Sequence, residues 1–319
     1  MEARHTAQDA RGEVSPARVD SNGRPALLVV GAGGFLGTHC AAEAGRQGWR
    51  VSEWLSSSDD GSRWLEQLSQ GIFSAVINAA AAPYRTPEVD YLDSYMQSNV
   101  LLPQRLADAA GASTTPLVQV GTRWSLGTNG AAPNSLYGAT KAFGDYLATR
   151  STTVRSPGPA DHQRISVRVR DMIGPGDRRQ KLPSLLAQAA STGVPLPMTA
   201  GDQLLDPQDV RDVAAALVKA AACLSRDESL PVFTEIAIQP LSIKQFVNDW
   251  ELATGLHVPV HWGQLAYRGT ELFAMPLVHP VLPTFSARAR EETYRSTALG
   301  AAGARGASTA RSPRQSDGS

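Results

Sequence analysis

Tyr137-Gly138-Ala139-Thr140-Lys141 sets a phenol and an ammonium four residues apart at the start of a helix-like stretch, so both side chains lie on one face about one turn apart. A free phenol titrates at about 10, and proton transfer near neutrality needs a nearby cation that favours phenolate. Lys141 is placed to supply it, which makes the pair a candidate acid/base unit. Phe143, Tyr146 and Leu147 on the same helix form an apolar stripe that reads as core, and Gly138 and Thr140 read as local packing. A second chemical feature lies upstream. In Gly31-Ala32-Gly33-Gly34-Phe35-Leu36-Gly37, the glycines Gly31, Gly34 and Gly37 allow a tight turn, close approach of backbone to a pyrophosphate, and tight packing of the next helix. The amides of that helix then face the anion.

Both features need a scaffold, and the pattern around them supplies one. Short apolar runs at 27–30, 51–55, 75–80, 116–120 and 165–169 alternate with helix-like stretches at 35–47, 63–70, 91–110 and 136–150. This spacing predicts βαβ units feeding a buried parallel sheet, an α/β doubly wound Rossmann fold. The glycine turn stands directly after an apolar strand and before an amphipathic helix, the context a nucleotide-binding turn requires. After Gly174 the chain becomes richer in Pro and Gly, with helices expected at 183–191, 210–224 and 242–254. The organisation expected is a polar extension over 1–24, a nucleotide-binding domain over 25–174 and a low-complexity, structureless tail over 298–319. Between them, 175–297 forms a smaller substrate-binding region at the carboxyl ends of the sheet, with some segments returning to it.

Cofactor choice depends on the end of the second strand, where an Asp or Glu would bind the ribose 2′-hydroxyl of NAD. In Val51-Ser52-Glu53-Trp54-Leu55-Ser56-Ser57-Ser58 the tip falls near Ser56 and carries no acid, while Glu53 lies inside the strand. Hydroxyls at Ser56 and Ser57, helped by Arg63, accept a 2′-phosphate without repulsion, so NADP(H) is favoured over NAD(H). The other arrangement has Asp59 or Asp60 folding back to the ribose.

The glycine turn, Asn78-Ala79-Ala80 after a strand run, Asn99, Thr122 and the Tyr137/Lys141 pair, in that order, resemble the extended short-chain dehydrogenase/reductase family of NAD-dependent epimerases and dehydratases over roughly residues 25–297. The resemblance implies a nicotinamide cofactor lined by Gly31, Gly34, Phe35, Leu36, Gly37, Asn78, Ala79 and Ala80. It further implies that Thr122 hydrogen-bonds the reacting oxygen, that Tyr137 gives or takes its proton, and that Lys141 holds the cofactor ribose and lowers the Tyr137 pKa. Asn99 has two readings, a cofactor-side residue or a structural residue that distorts its helix.

The second half resembles nucleotide-sugar epimerases, dehydratases and reductases through Arg168-Val169-Arg170-Asp171-Met172-Ile173-Gly174-Pro175-Gly176-Asp177-Arg178 and the residues that follow. In detail it looks most like reductases of NDP-4-keto-6-deoxyhexoses, of the CDP-abequose synthase kind. A nucleoside diphosphate needs local cations, for which Arg178, Arg179, Lys181 and Arg268 are candidates, and Pro83, Tyr84, Arg123 and Trp124 are candidates for the sugar pocket. Dehydratases of the family place an Asp-Glu pair after the Thr, where this chain has Arg123-Trp124, which argues against elimination. A 4-epimerase with retained NAD is the alternative. A protein that binds NADP as a regulator without chemistry is a third reading, and the intact Thr122/Tyr137/Lys141 set argues against it.

Composition adds exclusions. The 319 residues carry 30 Lys+Arg against 30 Asp+Glu. Without the two terminal stretches, 23 basic residues face 25 acidic ones, which gives a nucleic acid no electrostatic footing. Only two cysteines, Cys40 and Cys223, are present, far apart, and neither a disulfide framework nor a metal site is expected. No apolar run approaches the ~20 residues of a membrane helix and the N-terminus lacks an apolar core segment, so a cytoplasmic protein is expected. The resemblance also implies a homodimer through the helices at 91–110 and 136–150.

Overall fold

The computed structural model describes residues 19, 21–55, 61–127, 132–150, 163–269 and 271–309. Six parallel strands form the central sheet. They are β1 (Ala26–Val30), β2 (Arg50–Trp54), β3 (Ala75–Asn78), β4 (Leu117–Thr122), β5 (Arg164–Val169) and, much later in the chain, β10 (Phe233–Glu235). Their order across the sheet is β2-β1-β3-β4-β5-β10. β1 reads Ala-Leu-Leu-Val-Val and is buried at all five positions, as a strand covered on both faces must be. The helices connecting these strands are α1 (Phe35–Arg46), α2 (Ser62–Ser69), the one-turn α3 (Leu92–Tyr95), α4 (Leu102–Ala112) and α5 (Leu136–Thr149). Helix α1 packs with the later helix α7 (Val210–Ser225) on one face of the sheet, while α2, α4 and α5 cover the other. Sheet order reverses between β2-β1 and β3, and the crevice at that switch point is where open α/β folds take ligands. The usual dinucleotide-binding arrangement has a further strand outside β2. Here the chain runs from β2 through α2 directly to β3, and β2 is the edge.

Beyond the carboxyl end of β5 the chain forms β6 (Asp171–Ile173), α6 (Leu182–Thr192), β7 (Leu196–Pro197), β8 (Leu204–Leu205) and β9 (Pro207–Asp209). After α7 and β10 come β11 (Leu241–Ser242), α8 (Ile243–Thr254), β12 (Val260–His261) and α9 (Arg290–Thr309). The strand pairs β6–β9, β7–β12 and β8–β11 enclose a separate apolar core around Trp250, Phe246 and Tyr294. Helix α9 continues to Thr309, into the stretch whose composition suggested a structureless tail. Its Ala content gives that stretch a high helix propensity. Residues 310–319 and most of 1–24 lie outside the described residues. Among the described residues no helix is long and apolar enough to cross a membrane, and no group of His, Cys, Asp and Glu could hold a metal ion.

Candidate active site

The glycine turn is built by backbone crowding. Gly31 has φ of +77°, and a Cβ there would stand 2.7 Å from both N and Cα of Ala80, so β1 and β3 approach too closely for any side chain. A Cβ on Gly37 would fall on the carbonyl oxygen of Gly31. Gly33 and Gly34 are exposed, α1 begins at Phe35, and its first turn holds no acid. Open amides at a helix start beside a turn with no room for side chains fit the diphosphate of a nicotinamide dinucleotide. Phe35 is half-buried at the crevice. Leu36 is not: its side chain packs into the core under α1 and can offer a ligand only its backbone. Ser56 and Ser57 lie outside the described residues.

Asn78 and Asn99 are engaged elsewhere. Asn78 is fully buried, donates to Gln119 Oε1 at 2.8 Å and accepts from Ala80 N at 3.2 Å, so it shapes the loop that faces Gly31. Asn99 sits in a π-helical segment (Met96–Leu101), accepts from Ala82 N and donates to Thr140 Oγ1, each at 3.2 Å. Each amide thus makes one bond at each end within the protein and braces its loop, and Asn99 lies in a distorted, π-helical turn as one of its two readings has it. Ala79 and Ala80 remain at the crevice as backbone.

Thr122 ends β4, its Oγ1 accepting from Trp124 N at 3.3 Å, and Tyr137 opens α5 near enough for the threonine hydroxyl to favour phenolate. Ser135 caps α5 by accepting from Gly138 N at 3.0 Å, and Glu88, from a 3₁₀ turn (Glu88–Tyr91), accepts from Tyr137 N at 2.8 Å. The Glu88 carboxylate therefore fixes the Tyr137 amide and the Ser135 hydroxyl the next one, that of Gly138. Its ring meets Tyr95 and Tyr84 edge-on, with centroids 5.9 and 6.0 Å away. Burial pushes the Tyr137 phenol up to about 12, Asp145 and Tyr95 adding to the rise, while Arg179 and the Thr122 hydroxyl pull the other way.

Lys141 departs from expectation. It is buried and its Nζ donates to the carbonyl oxygen of Val120 at 2.7 Å, and it does not offset the rise of the phenol. Asp145, one further turn along α5, faces it. Burial pulls the Lys141 ammonium below its usual range and Asp145 pulls it back up. The Tyr137 pKa is raised in this fold, not lowered.

At the mouth, Tyr84 and Trp124 stack with centroids 5.7 Å apart and remain 42% and 38% exposed, forming an aromatic wall beside Tyr137. Pro83 is exposed next to Tyr84, and the charge of Arg268 reaches Tyr84 from the second region. Arg178 and Lys181 are exposed on the loop after β6. Arg123 is not part of this wall. It is 3% exposed, its Nη1 donates to Gly127 O at 3.0 Å, and it turns inward toward Arg168, Arg170 and Glu235.

With the fold and site in place, the sequence model of the NAD dependent epimerase/dehydratase family is found to match residues 27–232. The chain belongs to that family. No curated protein matches it by sequence. Among solved structures, MoeE5 in complex with UDP-glucose and NAD is 24% identical, with a TM-score of 0.70 over 87% of this chain and 99% of its own. UDP-glucose 4-epimerase from Brucella ovis in complex with NAD is 21% identical, with a TM-score of 0.69 over 86% and 97%. The dTDP-4-dehydrorhamnose reductase from Bacillus anthracis str. Ames in complex with NADP is 16% identical, with a TM-score of 0.69 over 86% and 98%. At these identities the likeness is one of fold.

In this epimerase/dehydratase chain several site residues have no motif to announce them. Asp145 follows Lys141 by four residues, a spacing that could have been read. Glu88, 49 residues from the amide it caps, and Tyr95, whose hydroxyl bonds both backbone groups of Arg85, carry no local signal. Nor does the buried charge chain behind the site. Arg168 lies near Asp145 and donates to Ser125 Oγ at 3.1 Å, while Arg170 bridges Glu235 at 3.0 Å and Asp206 at 3.1 Å. Burial pushes the Asp206 carboxyl up to about 6 against the pull of Arg170.

Proposed function

We infer that the chain uses NADPH to reduce the C4 keto group of a nucleotide-activated 4-keto-6-deoxyhexose. The observation that carries this reading is the meeting of Thr122, at the end of β4, with Tyr137, at the start of α5 behind the aromatic wall of Tyr84 and Trp124, where burial keeps the phenol protonated and able to donate. Burial holds it there, with the charge of Asp145 adding to the effect. An epimerase begins by oxidising its substrate with the same tyrosine as base, and what sets it apart is an NAD that stays bound through turnover. Elimination needs a carboxylate beside the threonine, and Arg123 and Trp124 follow Thr122 instead.

A reduced nicotinamide supplies the hydride when bound. Tyr137 then delivers its proton to the developing alkoxide, and Thr122 steadies that oxygen with its hydroxyl. The stacked rings of Tyr84 and Trp124 offer an apolar face to a deoxygenated sugar, and Arg178, Lys181 and Arg268 provide cations for its diphosphate. The choice of NADPH is supported by the sequence at the end of β2, where Leu55-Ser56-Ser57-Ser58 follows Trp54 and the first acids are Asp59 and Asp60.

The test is NADPH oxidation by the purified protein with freshly made dTDP-, CDP- and GDP-4-keto-6-deoxyglucose, followed by NMR of the product at C4. Oxidation with one of them is expected. No oxidation with any, together with stoichiometric NAD that does not exchange, would replace the reading by the epimerase, which the NAD-bound epimerase of like fold keeps in view.

A further inference from the structure

The loop joining β6 to α6 was read for cations that meet a substrate diphosphate, yet one of its arginines points elsewhere. Arg179 donates from Nε to Asp177 Oδ1 and from Nη2 to Asp177 Oδ2, each at 2.7 Å, and Nη2 also donates to Met172 O at 2.7 Å. Its backbone carbonyl accepts from Lys181 N at 2.9 Å and from Ser184 Oγ at 3.3 Å. The guanidinium is therefore fixed from both ends, which removes most of the entropy a long side chain would lose on binding. So held, it lies 4.5 Å from the ring centroid of Phe35, the residue that opens α1 directly after the glycine turn. A second tie joins the same loop to α1, between His39 Nε2 and Pro175 O at 3.1 Å. The charge of Arg179 also reaches the Tyr137 hydroxyl and pulls that phenol down.

The third nitrogen, Nη1, has no acceptor among the described residues, and the side chain is 39% exposed. The guanidinium lies over the ring of Phe35, the first residue of α1 after the glycine turn, and its charge reaches the Tyr137 phenol. Because Asp177 cancels part of the charge, Arg179 acts here through a directed hydrogen bond more than through a long-range field.

We propose that Arg179 is a cofactor-binding residue supplied by the second region, with Nη1 contacting the diphosphate of the nicotinamide dinucleotide held at the Gly31–Gly37 turn and Asp177 setting its orientation. This rests on the reading of that turn as the cofactor site. It assigns to the cofactor a cation that loop position alone would give to the substrate, and it makes the grip on the cofactor depend on both regions of the chain.

Titration of NADPH into the full-length protein, read by its fluorescence, tests this directly. Arg179→Met keeps the stem on Phe35 and is expected to raise the Kd for NADPH about tenfold, the scale of a lost charge-assisted hydrogen bond. Arg179→Lys recovers only part of it, and Arg226→Ala, a charge removed far from the crevice, leaves it unchanged. Binding of UDP is expected to stay within about twofold of wild type in Arg179→Met. Thermal melts confirm that each variant is folded. Unchanged NADPH affinity in Arg179→Met, or weakening of UDP binding alone, overturns the proposal. Gly37→Ala separates the two readings: if it abolishes NADPH binding while Arg179→Met does not weaken it, this inference fails and the turn stands. If Gly37→Ala leaves NADPH binding intact, the turn reading fails and this proposal with it.

Discussion

One face of the central sheet is built in two chemically different halves. Under α2 and α4, β1, β3 and the start of β4 present Leu28, Val30, Val76 and Leu117, all buried in an apolar cluster with Leu68, Leu106 and Phe73. Under α5, the same face of β4 and β5 presents Gln119, Gly121, Ser166 and Arg168, buried as deeply but polar. A Cβ on Gly121 would stand 2.6 Å from Asp145 Oδ2, so the glycine makes room for a carboxylate beneath the sheet's covering helix. The apolar half ends in a turn that offers a ligand backbone amides alone. The polar half ends beside Thr122 and Tyr137, whose phenol is raised first by burial and then by the charge of Asp145. The proposed function thus draws on different physical means in the two halves, backbone amides that do not titrate in one and a phenol that does in the other.

The largest effect that would sharpen this division is at Tyr137. Tyr137→Phe is expected to cut turnover by about 10² to 10⁴ while NADPH affinity stays within about twofold, because the phenol proton belongs to the polar half. A comparable loss of cofactor affinity would break the division.

Next comes stability. Arg170→Met leaves Asp206 and Glu235 without their cation and is expected to cost roughly 3–5 kcal/mol at pH 8, whereas Leu28→Ala in the apolar half costs roughly 2–5 kcal/mol. Their pH dependence separates them. Asp206 titrates higher in the fold than in the unfolded chain, so its favourable contribution is complete below about pH 4 and lost as pH rises through about 6. The deficit of Arg170→Met therefore shrinks on acidification, measured by denaturant melts from pH 5 to 8, and that of Leu28→Ala does not.

The smallest effect concerns tuning. Asp145→Asn removes the negative charge that raises the Tyr137 pKa, so phenolate forms more readily and the alkaline fall of kcat is expected to move to lower pH by about one unit. A profile identical to wild type would show that Asp145 fills space without setting the proton.

The sequence is most informative where local backbone geometry decides the outcome. The glycine turn, the five alternating strand runs and the Tyr137/Lys141 spacing all correspond to features of the fold, because turn crowding and helical period leave direct marks on residue type. It is least informative where tertiary packing assigns partners. Asn78 and Asn99 carry no local sign of the partners that brace them, Gln119 and Thr140, each 41 positions away. Arg123 follows the reacting threonine and still turns inward, since Gly127 O and Glu235 lie behind the site and not before it. Lys141 was expected to lower the tyrosine pKa, while burial, with the charge of Asp145 adding to it, raises that pKa, an environment set only once α5 is laid over β4 and β5.

Hydride transfer itself is the most direct measurement. Incubation of the protein with 4-deuterated NADPH and the nucleotide-activated 4-keto sugar that it accepts, analysed by NMR in a single turnover, is predicted to give one NADP⁺ per product and deuterium at C4. Interconversion of the C4 configuration of a nucleotide sugar on retained NAD, with no NADPH consumed and no deuterium in the product, would contradict the account.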